Sequence, residues 1–506
     1  MLLVGKTMPQ VFAGETTMLE HFRTSGLLDE YYAHGFGTGQ SSQWLGNAVK
    51  QITDIHPHLR LLEVGAGTGG ATHFILPAIG RDFDSYTFTD ISSSFFENAA
   101  EVFSPWVDRM TFQVLDAESD PMTQGFVEHS YDALIACQVL HATAKLDETL
   151  RNLRRLLRPG GYLLIGEGSS EGMAQLGAGF IFGTLPGWWR GVDEGRTLSP
   201  LASASHWDGL LKRNGFSGID TMSPHIIFET FGAILMVSQA VDPKLELVRE
   251  PFNHYQERSA KIPELLFIGG KTPPTSKVIR ELQSKFHGIG VHSHVFKSLE
   301  DLDDRVTKNG AAIISLTDLD DPVFRDMGPE RWEKFKMVFG GEKSVLWLTK
   351  GRLEDDPYCN MTVGFGRSAL HEEQGLRMQF IDVPDLEHID VKSVAEHFVR
   401  LMNRDLDLED ILYGLEPEIV VDEKGRELVP RLGHITEANH RLNSTRRLIT
   451  RQVDLQKAPV ELKQDDSGCF IRQLSRYETS EDIIGYVLTS SFLYSCFSSA
   501  FVQLVN

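Results

Sequence analysis

Arg60-Leu61-Leu62-Glu63-Val64-Gly65-Ala66-Gly67-Thr68-Gly69-Gly70 is the stretch on which the fold is decided. A short apolar run ends in a glycine turn, and a helical pattern follows. Glycines at such a turn let the backbone bend sharply and let a ligand approach where a Cβ would clash. Gly65, Gly67 and Gly70 satisfy the G-x-G-x-x-G spacing of dinucleotide sites. Gly65, Gly67 and Gly69 fit equally well the looser loop that holds a nucleoside amino acid. The loop alone does not choose between them.

Working outward, strands alternate with helices. Tyr86–Thr89, Met110–Leu115, Tyr131–Cys137 and Tyr162–Ile165 read as further strands. The clearest helix runs from Leu146 to Leu157 and stops at Pro159-Gly160-Gly161, a strong terminator. This alternation predicts a mainly parallel, doubly wound α/β sheet. Residues 226–240 are apolar and strand-like, which predicts an antiparallel pair at its edge. Residues 1–60 read as a helical lid, with amphipathic stretches starting at Thr17 and spanning Trp44–Ile52. Between those stretches lies the aromatic-glycine segment Tyr31–Gly37, suited to closing over a pocket.

Acidic residues fall where such sheets bind ligands. Asp90 ends the second strand, where a carboxylate accepts bonds from ribose hydroxyls. Asp116 follows the third strand, placed for an adenine amino group or for a surface turn. Glu63 precedes the loop and is read as steadying its backbone or a ligand's ammonium group. His141 lies just past the fourth strand and Glu167 just beyond the fifth. If those strands are neighbours, their ends sit about 5 Å apart, and the two side chains form a base with its orienting carboxylate. The aromatic pair Trp188-Trp189 lines either an acyl tunnel or the core. Arg151, Arg154, Arg155 and Arg158 share one helix face. That face is a basic stripe for an acidic partner or simply a solvated surface.

Past a polar stretch at 241–260, a second α/β pattern begins. Its strands are Leu265–Ile268, Ala311–Leu316, Val345–Leu348, Met378–Ile381 and Glu418–Val421. Its opening, Leu265-Leu266-Phe267-Ile268-Gly269-Gly270-Lys271-Thr272-Pro273-Pro274, starts like a nucleotide site. Prolines at the helix start lack the N–H groups that a phosphate needs, so this unit reads as Rossmann-like without a cofactor.

The 506 residues call for two or three domains. The boundaries read as 1–60 lid, 61–240 catalytic core, 260–455 second α/β domain and 456–506 tail. A net charge of −21 argues against nucleic acid as a partner. The four cysteines show no metal or disulfide spacing. The N-terminus has no secretory pattern, so a cytoplasmic location is expected. Ile483–Val505 carries no charge and is long enough for a bilayer. Its serines weaken that reading against buried strands or an aberrant tail.

The segments LLEVGAGTGG, YTFTD, LDAESDP, SYDALIACQVLHAT and LRRLLRPGGYLLIGE, in this order, resemble a class I methyltransferase. More narrowly, DISSSFFENA, VLHAT, GFIFGTLPGWW and GFSGID resemble the C-methyltransferase domain of fungal highly reducing polyketide synthases and of their peptide-synthetase hybrids. DDPYCNMTVGFGRS and LEPEIVVDEKGRELVPRL resemble the structural, non-catalytic ketoreductase region that follows it.

The resemblance implies S-adenosyl-L-methionine as cofactor, held by Glu63, Gly65, Gly67, Gly69, Asp90, Asp116 and Gln138. It implies methylation at the α-carbon of a β-ketoacyl chain on an acyl carrier protein, with His141 as base and Glu167 orienting it, and no metal. A separate polyketide synthase is an expected partner. The chain departs from the family pattern at Gln138, where Asn is usual. It departs again at Gly166-Glu167-Gly168-Ser169, whose glycines predict a looser backbone around Glu167. An O- or N-methyltransferase of a free small molecule and an inactive synthase fragment are the alternatives. An NAD-dependent oxidoreductase would need a Tyr-x-x-x-Lys pair or its like, which is not found.

Overall fold

The computed structural model describes residues 2–27, 35, 37–171, 174–255, 262, 264–353, 356–403, 408–433, 435–444, 446, 460–465 and 468–473. Tyr31–His34 and Phe36 of the aromatic-glycine segment, and all of Ile483–Val505, lie outside them.

The first sheet has seven strands: β1 Arg60–Val64, β2 Ser85–Asp90, β3 Met110–Val114, β4 Tyr131–Cys137, β5 Leu157–Gly168, β6 Thr221–Met222 and β7 Ala233–Gln239. Their order is β3-β2-β1-β4-β5-β7-β6. The first five are parallel, and β7 runs antiparallel to both β5 and β6. The central strands β1 and β4 are buried on both faces and are mostly apolar. On β4, Leu134 and Ala136 pack into one core while Ala133 and Ile135 pack into the other.

The edge differs from expectation. Residues 225–231 form a short helix, ended by Gly232 in the left-handed region, and only 233–239 is strand. The seven residues HIIFETF are too few, and too mixed, to carry a period that separates the two outcomes. The Leu146–Leu156 helix ends one residue earlier than expected. Leu157 then opens β5, with a register shift against β4 around Pro159–Gly161. The helices Leu2–Phe12, Met18–Thr24 and Thr38–Ile55 precede β1.

The polar stretch after β7 is in part a helix, Pro243–Arg249, whose first turn is capped by Asp242 accepting from Leu245 N–H at 2.7 Å. A second seven-stranded sheet follows: β8 Leu265–Ile268, β9 Ser293–Phe296, β10 Ala311–Ser315, β11 Lys343–Lys350, β12 Leu376–Val383, β13 Glu418–Val421 and β14 Glu427–Leu428. Its order is β14-β13-β12-β11-β10-β8-β9, parallel except for β14. β9 escapes the sequence reading because SHVF offers little apolar pattern at an edge.

Both sheets lie in one compact unit, residues 1–430. They meet where Leu412 N–H donates to Pro159 O at 2.7 Å and Arg158 reaches the carbonyls of Glu409 and Ile411. A Cβ on Gly160 would fall 2.5 Å from Leu412 O, so glycine makes this approach possible. The second unit, residues 431–506, shows a helix at Thr436–Ser444 and a hairpin of Val460–Asp465 with Gly468–Gln473. Among the described residues no helix is long and apolar enough to cross a membrane.

Candidate active site

β1 pairs with β2 on one side and β4 on the other, so the strand order reverses there. The crevice beyond the carboxyl ends of β1 and β4 is where such sheets take ligands. Gly65, Gly67 and Gly69 all have positive φ, at 60°, 53° and 81°. A Cβ on Gly65 would meet Val139 Cγ2 at 2.2 Å, and one on Gly69 would meet the Phe103 ring at 2.7 Å. A Cβ on Gly67 would meet nothing within 4 Å. Two of the glycines are therefore demanded by protein neighbours, and Gly67 opens on the crevice.

The loop is laced to β2. Ala66 N–H donates to Thr89 O at 2.8 Å and Gly67 N–H to Asp90 Oδ2 at 3.0 Å. The other Asp90 oxygen accepts from Ser92 N–H at 2.9 Å. Glu63 lies beneath the loop, buried, and its Oε2 accepts from Thr72 and Tyr86 hydroxyls at 2.5 Å each. Burial pushes the Glu63 carboxyl up to about 7, against the lowering effect of those two bonds. Its side chain braces the loop and the helix that follows. Asp116 closes a turn: its oxygens accept from Glu118 N–H at 3.0 Å and the Ser119 hydroxyl at 2.7 Å. Gln138 leaves β4 with φ of 57° and donates its N–H to Gly166 O at 2.7 Å. A left-handed position favours Asn over Gln, because a short polar side chain bonds locally there.

His141 and Glu167 come together. Cys137 and Gly166 are register partners on β4 and β5, so the chain beyond each runs to the same edge. His141 Nδ1 stands 2.6 Å from Glu167 Oε2. Glu167 Oε1 accepts from the N–H groups of Val139, Leu140 and His141 at 3.1, 2.7 and 3.3 Å. Glu167 is wholly buried, while the His141 side chain keeps 17% of its exposure. A carboxylate only accepts, so Nδ1 carries the proton and Nε2 is left as the basic nitrogen. The expected looseness around Glu167 is not what the sheet shows. Gly166 and Gly168 sit in β5 opposite Leu235 and Ala233 of β7, and a Cβ on either would press on Leu235 or Leu201.

The tryptophans divide. Trp188 is buried and stacks on Phe182 at 6.0 Å, whereas Trp189 is half-exposed and donates to Gly183 O. Three of the four stripe arginines are engaged by partners within the chain. Arg154 donates to the carbonyls of Gly215, Leu157 and Val241, Arg155 pairs with Glu128 and Asp120, and Arg158 pairs with Asp132. Among the described residues no three His, Cys, Asp or Glu side chains gather as metal ligands would.

Sequence reasoning misses Arg196, which donates to the carbonyls of His141, Thr143 and Ala144. Its partners are backbone atoms more than fifty residues away, and no motif records them. It also misses Asp320. That carboxylate accepts from Gly270, Lys271 and Thr272 N–H at 2.6, 2.9 and 2.9 Å. Pro273 and Pro274 bring no N–H groups to the start of the helix, but those of the three residues before them converge, and the chain's own carboxylate fills them.

A methyltransferase domain model matches residues 62–163. The highly reducing polyketide synthase bet1 of Neocamarosporium betae is 57% identical over 95% of this chain. The highly reducing polyketide synthase sthA of Phaeosphaeria nodorum is 55% identical over 95%. The chain spans 16% and 17% of the lengths of these two relatives. A solved trans-methyltransferase, CalH in complex with SAH, is 32% identical, with a TM-score of 0.41 over 47% of this chain and 66% of its own. Built around a methyltransferase domain and matched along nearly its whole length, this chain belongs with the C-methyltransferase region of fungal highly reducing polyketide synthases and their peptide-synthetase hybrids.

Proposed function

We propose that the chain methylates the α-carbon of a β-ketoacyl chain carried as a thioester on an acyl carrier protein, with His141 as the base. The observation that carries this is the 2.6 Å contact between His141 Nδ1 and Glu167 Oε2. An α-proton between a ketone and a thioester is acidic enough for an imidazole base to remove. Nε2 of His141 takes that proton, and the electron pair of the C–H bond passes into the enolate. Glu167 fixes the tautomer and stabilises the imidazolium. The proton then leaves His141 to solvent.

S-Adenosyl-L-methionine, when bound, supplies a sulfonium-linked methyl group that a carbon nucleophile accepts as the carbon–sulfur bond breaks. The open space beside Gly67 fits it, since neither a Cβ nor a neighbouring side chain enters there. Gly65, Gly67 and Gly69 would line its path, Asp90 and Asp116 would face its ribose and adenine, Gln138 would border it, and Glu63 would hold the loop from below.

We read residues 1–60 as a lid, 61–240 as the catalytic core, 260–455 as a structural domain without cofactor and 456–506 as a tail. The carrier protein and a synthase bearing it are the proposed partners. Asp320, seated on the loop at Gly270–Thr272, supports the structural reading of the second domain.

The test is incubation of the full chain with methyl-labelled S-adenosylmethionine and an acetoacetyl carrier protein, followed by fragment mass spectrometry. Label on the α-carbon supports the proposal. Label on oxygen, or transfer only to free small molecules, contradicts it.

A further inference from the structure

The backbone that carries His141 is held from behind by a buried guanidinium. Arg196 keeps only 7% of its side-chain exposure. One of its terminal nitrogens, Nη1, donates to His141 O at 2.9 Å and Pro200 O at 3.2 Å. The other, Nη2, donates to Thr143 O at 2.6 Å and Ala144 O at 3.0 Å. One planar fork therefore bonds three carbonyls of the four-residue stretch 141–144. Arginine suits this because its donors are rigidly arranged, and a lysine ammonium has no such fork.

The surroundings are built for that fork. A Cβ on Gly191 would lie 2.3 Å from Arg196 Cζ, so glycine makes the space. Glu194 pairs with Arg196 and also accepts from Leu146 N–H at 3.0 Å, at the start of the next helix. Burial pulls the guanidinium's pKa down, and the carboxylates of Glu194, Glu118 and Glu167 work against that fall. Glu118 adds a second tie: one oxygen accepts from Ala144 N–H at 2.7 Å and the other pairs with Arg190.

The same segment is fastened to the strand that bears Glu167. Ser169, two residues beyond it, bridges Ala202, and Ser170 N–H donates to Ala202 O at 3.2 Å. The stretch from Arg190 to Ala202 thus ties the histidine's loop and the glutamate's strand to one another through backbone atoms.

We propose that Arg196 is a positioning residue, which fixes the His141 backbone so that its imidazole meets Glu167 and the substrate in one orientation. This rests on the base role proposed for His141. A misplaced base costs rate far more than it costs binding, and displacements near 1 Å lower rates by about 100-fold.

The test is a double-mutant cycle of Arg196→Ala and His141→Ala in the full chain. Its readouts are single-turnover methyl transfer to acetoacetyl-pantetheine, calorimetric affinity for S-adenosylmethionine, and the His141 ring resonance in histidine-labelled protein, assigned by its loss in His141→Ala. In the wild-type background Arg196→Ala should lower kcat roughly 10- to 100-fold. It should leave cofactor affinity within about twofold and broaden or shift the His141 resonance. In the His141→Ala background it should change the residual rate less than about twofold, because the residue it serves is gone. Arg196→Lys should recover part of the rate, and it carries the test if Arg196→Ala does not fold.

A wild-type kcat in Arg196→Ala, or in Arg196→Lys if that is the folded variant, with His141→Ala crippled, overturns the positioning role alone. So does an equal loss in both backgrounds. Full activity of His141→Ala overturns the base role, and the positioning role with it.

Discussion

Glu167 Oε2 stands 2.6 Å from His141 Nδ1, while its Oε1 accepts from the backbone N–H of Val139, Leu140 and His141. One buried carboxylate thus shapes the loop after β4 and orients the base on it. Glu167→Gln keeps the shape and removes the charge. The amide can still accept from the loop, but its NH2 then faces Nδ1, which must become the acceptor. The proton moves to Nε2, the nitrogen that has to be basic. Methyl transfer should fall by about 10²–10⁴ with cofactor affinity unchanged, read by single turnover and calorimetry. A Glu167→Gln rate near wild type would remove the carboxylate from the mechanism.

Two of the loop glycines should fail differently. Gly67→Ala carries strain of roughly 1–2 kcal/mol from its positive φ but meets no neighbour, so the protein should fold and lose cofactor affinity by about tenfold or more. Gly65→Ala carries the same strain and drives a methyl into Val139, so it should cost about 2–4 kcal/mol of stability. Urea melts and calorimetry on both variants check this. Equal stability in the two would contradict the packing assigned to Gly65.

Glu63 gives a pH signature. Its carboxyl titrates ordinarily at 4.5, and burial raises it to about 7 in the fold. The folded state therefore holds the proton more tightly between these values. The stability that this contributes is complete below pH 4.5 and is lost as pH rises through 7. The loss is on the order of 3 kcal/mol across that window. Glu63→Gln has no such titration, so wild type should lose ground to it from pH 4.5 to about 7 in urea melts and level off above that. A constant gap between the two would show that the carboxyl is not raised.

Asp320 should matter for the second sheet. Asp320→Ala orphans the N–H groups of Gly270, Lys271 and Thr272 together with a bond from the Thr272 hydroxyl. It should destabilise the protein by roughly 1–3 kcal/mol without changing kcat by more than about twofold. Thermal melts and turnover measure both.

Much of the fold is legible in the sequence because burial leaves a trace in composition. The central strands β1 and β4 are largely apolar and give way to a glycine or a polar residue, so the bounds of Arg60–Val64 and Tyr131–Cys137 can be read from the residues alone. The meeting of His141 with Glu167 follows from strand adjacency. Edge elements leave weaker traces: Ser293–Phe296 alternates too little, and residues 225–231 mix apolar and polar positions in a run too short to show a period. Arg196 and Asp320 are invisible for another reason. Each acts on backbone atoms distant in sequence, and backbone atoms carry no residue identity to read. Gln138 stands out in the sequence only as a departure; its φ of 57° explains why Asn suits the position.

The central claim is that the His141 imidazole removes the α-proton. The most direct measurement is the single-turnover rate of α-carbon methylation of acetoacetyl-pantetheine by wild type and His141→Ala at equal, saturating S-adenosylmethionine. The account predicts matched cofactor affinity and a rate lowered by about 10²–10⁴ in the variant. A His141→Ala rate equal to wild type would contradict it.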